Sequence, residues 1–367
     1  MHLTARAKLQ PSPDQAAALS ATLARANEAC TWISDQAWDA QTFGQFSLHR
    51  LVYRDVREHF GLAAQMAVHA IGKVADAYKL DRHARRTFRP LGAFPYDSRI
   101  LSWNLAASTV SIWTLDGRQT IPFVCRERDR QLLAGKRGEA DLCLVAGAWY
   151  LFVACQVETP KLRDEDGYLG VDLGIVNIAT DSDGTVHSGA KVTGLRRRHR
   201  KLRQRLQAKG TKSARRLLAK RRRKEARFAR DINHQISKRI VAVAERTGRG
   251  IALEDLKGIR DRVRARRPQR ATLHSWSFHQ LAKFVVYKAA LAGVAVAFVD
   301  PRNTSRTCPA CGCIDKRNRA SQSAFSCIEC GLAGPADTFA AVNIGRRAAV
   351  NRPYAGGSQP HPQALGF

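Results

Sequence analysis

With 367 residues, 44% of them apolar, and a mean hydropathy of -0.33, the chain can build two or three domains with cores of their own, which excludes a disordered polypeptide. A formal net charge of +30, from 61 Lys and Arg against 31 Asp and Glu, is far from that of ordinary enzymes and points to a polyanionic partner, nucleic acid first. No apolar run is long enough to span a bilayer and Met1 to Pro11 carries no signal-peptide pattern, so an intracellular protein without a membrane partner is expected.

His2 to Gln10 alternates apolar and polar residues and predicts a short strand. Ser12-Pro13-Asp14-Gln15 then supplies an N-cap, a proline at the first helical position and the glutamine of a capping box. Leu19, Leu23, Ala26, Cys30 and Ile33 mark one face of the helix that follows. Further helices are expected over 49–60 and along Leu62, Met66, Ala70, Val74 and Tyr78. Arg82, Arg85, Arg86 and Arg89 close this helical unit and offer either a solvated loop or a phosphate-contacting surface. From 94 to 158 the apolar period falls to two, with strands at 100–105, 109–115, 121–125 and 142–157 broken by Asp116-Gly117 and Ala146-Gly147-Ala148 turns. A β-barrel is expected there. If the first strand joins it, the helices are an insertion within the barrel.

After a polar linker at 161–167, Tyr168 to Ile175 reads as a buried strand containing one carboxylate, Asp172, which is costly to bury unless a cation or partner meets it. Asp181 and Asp183 read as turn formers. Residues 195–230 are densely basic, with Arg196, Arg197, Arg198, Arg200, Arg203, Arg205, Arg215, Arg216, Arg221, Arg222 and Arg223 on two helices broken at Lys209-Gly210-Thr211. Cations so crowded repel one another unless phosphates neutralise them, and with Phe228 as the sole aromatic, backbone contact is expected over base stacking. A separate helix is expected over 231–245. Gly250 to Leu256 repeats the pattern of an apolar strand with a carboxylate, Glu254, while Asp255 falls on the other face. A mobile basic loop at 260–275, an amphipathic helix at 276–291 and a buried strand at 294–300 follow.

Cys308, Cys311, Cys327 and Cys330 read C-x-x-C, fifteen residues, C-x-x-C, the spacing at which two knuckles offer four thiolates to one tetrahedral Zn²⁺. Cys30, Cys125, Cys143, Cys155 and Cys313 are scattered and read as small hydrophobes in a reducing compartment, with Cys313 a possible competitor for the metal. Beyond the knuckles, Asp337 opens a helix of small residues, as an N-cap or as a third carboxylate beside Asp172 and Glu254. Strands and helices that deliver acids in this order match an RNase H-like nuclease domain, in which carboxylates hold two Mg²⁺ ions about 4 Å apart for phosphodiester hydrolysis.

Gly170-Val171-Asp172-Leu173-Gly174-Ile175, Asn233-His234-Gln235-Ile236-Ser237-Lys238, Leu253-Glu254-Asp255-Leu256, Pro301 with Thr304-Ser305, Cys308-Pro309-x-Cys311-Gly312, Cys327-x-x-Cys330-Gly331 and Asp337-x-x-Ala340-Ala341-x-Asn343-Ile344 together resemble the TnpB (OrfB) proteins of insertion sequences, relatives of the type V CRISPR effectors. The resemblance runs from about residue 1 to 350, by layout more than motif in the N-terminal half. It implies an α+β multidomain fold. A wedge-type β-barrel (1–11 and 90–160) would carry an inserted helical recognition domain (12–89). An RNase H-like RuvC α/β nuclease domain (165–303 and 333–352) would contain an inserted zinc ribbon (304–332), with a disordered tail at 353–367.

The implied activity is RNA-guided DNA cleavage, dependent on Mg²⁺ held by the catalytic acids Asp172, Glu254 and Asp337, with structural Zn²⁺ on the four cysteines. The implied partners are a transposon-derived guide RNA and double-stranded target DNA beside a short flanking motif, met by a monomer in a prokaryotic cytoplasm near the nucleoid. Residues 196–223 would contact the RNA or heteroduplex backbone. Phe339 departs from the asparagine that many members carry before the two alanines. A non-cleaving guided regulator of the same ancestry, a non-enzymatic zinc-ribbon nucleic-acid binder and a strand-joining transposase are the competing readings. The regulator would be expected to have lost an acid, and the zinc-ribbon binder leaves Asp172 and Glu254 unexplained.

Overall fold

Ser12 opens the first helix as the sequence predicts: its hydroxyl accepts from the Gln15 amide at 3.2 Å, and the Gln15 side chain accepts from the Ser12 amide at 3.1 Å. The computed structural model describes residues 1–256 and 278–350, and the chain divides into one unit of Met1–Glu158 and a second that begins at Thr159.

In the first unit, β1 (His2–Leu9) is followed by α1 (Pro13–Asp39), α2 (Gln45–Phe60) and α3 (Ala64–Leu80). Then come β2 (Phe94–Tyr96), β3 (Leu101–Asn104), β4 (Thr109–Thr114), β5 (Gly117–Val124), α4 (Glu127–Ala134), β6 (Lys136–Val145) and β7 (Ala148–Gln156). The strands form one antiparallel sheet in the order β2-β6-β7-β1-β5-β4-β3. Its edge strands β2 and β3 are neighbours in the chain, and the Tyr96 hydroxyl on β2 donates to the Trp113 carbonyl on β4 at 3.1 Å, so the barrel is nearly closed. Ala146 and Gly147 join β6 to β7 with φ of 54° and 81°, the left-handed pair that a two-residue hairpin requires. The first strand sits between β7 and β5, as expected, and the inserted helices share a single hydrophobic core with the sheet. Every residue of the predicted α1 face is fully buried. Periodicity did not reveal α4, a short charged helix that buries only Leu133.

In the second unit, β8 (Tyr168–Asp172), β9 (Asn177–Asp181) and β10 (Val186–Ser188) form an antiparallel meander. The helices α5 (Ala190–Lys209) and α6 (Lys212–Arg246) follow, then β11 (Gly250–Glu254), α7 (Phe278–Ala292) and β12 (Val296–Val299). Strand β11 runs parallel to both β8 and β12, giving a five-stranded sheet in the order β10-β9-β8-β11-β12. The expected break at Gly210 is present, with φ of 63° and a Thr211 cap on the Ala214 amide. The expected separate helix over 231–245 is not. It is the continuation of α6, because nothing from 212 to 246 interrupts a run of good helix formers. The basic loop at 260–275 and the tail at 353–367 lie outside the described residues.

The two faces of this sheet are covered differently. Leu169, Val171, Ile251 and Leu253 share a core with α6 and α7. The alternate positions meet α8 (Ala336–Val350), whose Ile344 and Ala348 pack on Ala252. Contact is closest at Gly170, where an added Cβ would strike the Ala341 carbonyl oxygen and lie 2.5 Å from the Gly345 nitrogen. Gly345 is constrained too, less tightly, with the Tyr168 carbonyl 2.8 Å from where its Cβ would stand. Replacing Gly170 by Ala should therefore lift α8 from the sheet and lower stability by about 2 kcal/mol, the usual range for overpacking. Urea denaturation checks this, and an unchanged midpoint would contradict it.

Candidate active site and metal centre

Asp172 ends β8 and Glu254 ends the parallel neighbour β11, one step beyond the paired Val171 and Leu253. Both lie on the sheet face that α8 covers, since Gly170 and Ala252 two residues back contact that helix. Carboxyl ends of parallel strands are where α/β sheets place ligands. Asp337, in the first turn of α8, completes the group. Burial, then the negative charges of Glu254 and Asp337, push the Asp172 carboxyl up to about 7, against the opposing pull of Arg319. Burial likewise raises Glu254, while the Thr304 hydroxyl and the charges of Arg347 and Arg319 pull it down.

The surrounding polar groups orient these acids. Asn177 Nδ2 donates to Asp337 Oδ2 at 3.0 Å, and Arg319 Nη2 lies 3.3 Å from Asp337 Oδ1. Thr304 Oγ1 donates to Glu254 Oε1 at 2.5 Å. Thr180, opposite Asp172 in the β8–β9 ladder, has a buried hydroxyl with no hydrogen-bond partner. Three carboxylates whose repulsion is only partly offset, beside an unsatisfied hydroxyl, make an oxygen-rich donor set that fits hard divalent cations. The three acids are not drawn together as tightly as the cysteines, the one group among the described residues whose ligand atoms lie within 4.8 Å of one another. Carboxylates that share two ions need the wider spacing.

The sulfurs of Cys308 and Cys330 are 3.6 Å apart and those of Cys311 and Cys327 are 3.5 Å apart, with no disulfide formed. Four sulfurs at about 2.3 Å from a tetrahedral zinc stand about 3.8 Å from one another, so the quartet fits that ion. Each knuckle repeats one backbone pattern. The Cys308 amide donates to Cys313 O and Gly312 to Cys308 O, and correspondingly Cys327 to Leu332 O and Gly331 to Cys327 O. Gly312 and Gly331 have φ of 77° and 71°, which explains the glycine after the second cysteine of each pair. The fully buried Asn318 joins the halves, donating to Arg306 O and Cys313 O and accepting from the Ile328 amide. Cys313 stands outside the quartet. Phe339 packs with Cys308, Cys327 and Phe325, edge-on to the Phe325 ring at 5.3 Å, so this departure from the family pattern serves the cysteine knuckles.

Arg197, Arg198, Arg200, Arg215, Arg216, Arg221, Arg222 and Arg223 are exposed on the α5–α6 hairpin. Arg196 is drawn inward to 4.0 Å from Glu225, and Arg203, though exposed, lies 3.2 Å from the same carboxylate, which also meets the buried His199 at 3.2 Å. That lone carboxylate between 190 and 230 pairs the two helices, a task the charge run concealed. The Asn233 to Lys238 motif faces α7, with Asn233 donating to Gln280 at 3.0 Å and His234 stacked on Phe284. Sequence reasoning quoted Thr304 and Asn343 without giving them tasks. Asn177 and Arg319 left no spacing signal at all.

In the second unit, fold and site together define an α/β domain with carboxylates gathered at parallel strand ends and a four-thiol centre. Residues 152–257 match the OrfB_IS605 family model, a probable transposase, and residues 278–344 match the Cas12f1-like TNB domain. A CRISPR-associated endodeoxyribonuclease Cas12f1 of Sulfoacidibacillus thermotolerans is 41% identical over 122 residues, 33% of this chain and 28% of that protein. A TnpB-like protein of Methanocaldococcus jannaschii is 35% identical over 122 residues, 33% of this chain and 43% of that protein. The aligned stretches are thus less than half of these relatives' own length. A cryo-EM structure of a Cas12f1–sgRNA–target DNA complex shares the fold, with a TM-score of 0.61 at 14% identity over 89% of this chain and 82% of that one. Residues 152–257 and 278–344 are thus similar to TnpB-like proteins and to the Cas12f1 endodeoxyribonucleases.

The raised Asp172 sets a pH test. A carboxyl near 3.8 when unfolded and about 7 when folded keeps its proton longer in the folded state, so metal-free stability falls as pH rises through that window. Asp172→Asn should stabilise the metal-free protein at pH 8 by on the order of 4 kcal/mol, with no gain near pH 4. Thermal unfolding at the two pH values measures this, and a variant less stable than the parent at pH 8 would refute it.

Proposed function

We infer that this protein is an RNA-guided DNA endonuclease of a transposable element, with a RuvC-like, RNase H-type nuclease domain built on the five-stranded sheet. The observation that carries the reading is the meeting of Asp172, Glu254 and Asp337 on one sheet face. The antiparallel meander followed by parallel strands on one side, the match to transposase and effector models, and the endodeoxyribonuclease named among the relatives support it. Asp172, Glu254 and Asp337 would hold Mg²⁺, which when bound supplies an activated water and neutralises charge on the scissile phosphate. Asn177 and Arg319 keep Asp337 oriented toward the other acids. Arg319 also adds a fixed positive charge where a phosphate would enter.

Cys308, Cys311, Cys327 and Cys330 would bind a structural Zn²⁺ that holds the segment between β12 and α8 in shape. The exposed arginines of α5 and α6 would contact the phosphates of guide RNA or heteroduplex, and the barrel with its helical insertion would serve as the wedge and recognition domains. A guided regulator that binds without cutting is the second reading. The presence of all three acids favours cleavage over it.

Purification with the native RNA, sequencing of that RNA, and incubation with matched DNA and Mg²⁺ should give cleavage that Asp172→Ala abolishes. Cutting by that variant, or none by the parent on any matched target, would overturn the assignment. Replacing Arg221, Arg222 and Arg223 by Ala should lower the slope of log affinity against log salt by about 3. The double change Cys308→Ser and Cys311→Ser should remove zinc, read by elemental analysis, and lower the melting temperature together with cleavage. Zinc-free protein that cuts at the parental rate would end the supporting role.

A further inference from the structure

The segment that leaves β12 and enters the cysteine knuckles has no regular structure, yet one helix grips it throughout. From α8, Arg347 Nη1 donates to the carbonyls of Asp300 at 2.8 Å and Arg302 at 2.6 Å. Asn343 Nδ2 donates to those of Thr304 at 2.9 Å and Thr307 at 2.7 Å, and Arg346 donates to that of Pro309. Five carbonyls within ten residues are thus fixed by three consecutive or near-consecutive side chains of the helix that carries Asp337. Asn343 is 6% exposed and Thr304 is 3% exposed, so both bonds are shielded from competing water.

At the centre of this grip the Thr304 hydroxyl reaches Glu254. It has one proton and two acceptors in range, Glu254 Oε1 at 2.5 Å and its own loop's Pro301 carbonyl at 3.1 Å. The shorter, charge-assisted contact takes the proton. Glu254 stands at the end of β11 and Asp337 in the first turn of α8, two elements that pack on each other through Ala252, Ile344 and Ala348. Thr304, its carbonyl held by Asn343 of α8, adds a hydrogen-bonded link from the Glu254 carboxylate itself to the helix that holds Asp337.

We propose that Thr304 is a positioning residue: with its backbone carbonyl held by Asn343, its hydroxyl fixes the Glu254 carboxylate in the frame of the Asp337 helix so that the acids share divalent cations. This rests on the nuclease reading. Partners behind a ligand commonly change metal affinity by about 10-fold to 100-fold, and Thr304 stands behind Glu254 in that sense.

The test uses the full chain and two replacements. Thr304→Val keeps the shape and removes the donor, and Thr304→Ser keeps the donor. Mn²⁺ binding, followed by the loss of its free-ion electron paramagnetic resonance signal, is measured beside the Mg²⁺ dependence of cleavage and the zinc content. Thr304→Val should weaken Mn²⁺ binding and raise the half-saturating Mg²⁺ by about 10-fold, with zinc retained, and Thr304→Ser should restore both to within about 3-fold. Parental metal binding in Thr304→Val, or equal damage in both variants, overturns the proposal while leaving the nuclease reading intact. A parent chain that binds Mn²⁺ no better than Asp172→Asn, and cuts nothing, overturns both.

Discussion

The catalytic geometry proposed here depends on the absence of two side chains. Gly170 and Gly345 let the backbone of α8 touch the backbone of β8, and no residue with a Cβ could occupy either place without moving the helix. Asp337 lies two turns before Gly345 on the same helix, and Asp172 lies two residues after Gly170 on the same strand. The distance between the acids is thus set by backbone contact, which has no rotamers to relax, rather than by side-chain packing. Ala340, Ala341 and Ala348 extend the close fit on either side.

This arrangement explains why much of the site was legible in the sequence and some of it was not. A carboxylate on an apolar strand announces itself, and the cysteine spacing defines its own geometry, so Asp172, Glu254 and the quartet stood out. Period-two alternation also gave most strands of the first unit, though not β2 or the start of β6, and the Ser12 capping box gave the start of α1. What stayed hidden involves partners remote in sequence. Asn177 meets Asp337 across 160 positions and Thr304 meets Glu254 across 50, and no local pattern encodes such pairs. The continuity of α6 was missed for the opposite reason: a change from cationic to apolar positions looked like a boundary, although it marks only where one helix passes from solvent into the core.

Charge is divided in the second unit according to what must be immobile. Arg319, Arg346 and Arg347 are spent on carbonyls and on Asp337, and Arg196 and Arg203 on Glu225. These are structural cations. The remaining arginines of α5 and α6 face water with no carboxylate between 190 and 230 except Glu225 to offset them. The same residue type therefore serves two ends, and composition alone could not divide them.

The length of α6 gives that exposed charge a scale. At 1.5 Å per residue its 35 residues make a rod of about 50 Å, anchored in the core from Asn233 to Ala244. The cationic part, from Lys212 to Arg230, is about 27 Å long, which equals the rise of about eight base pairs. A straight rod of that length follows less than one turn of a double helix. In the proposed contact with guide RNA or heteroduplex it would meet phosphates along a single face without winding round the duplex, with a footprint set by helix geometry.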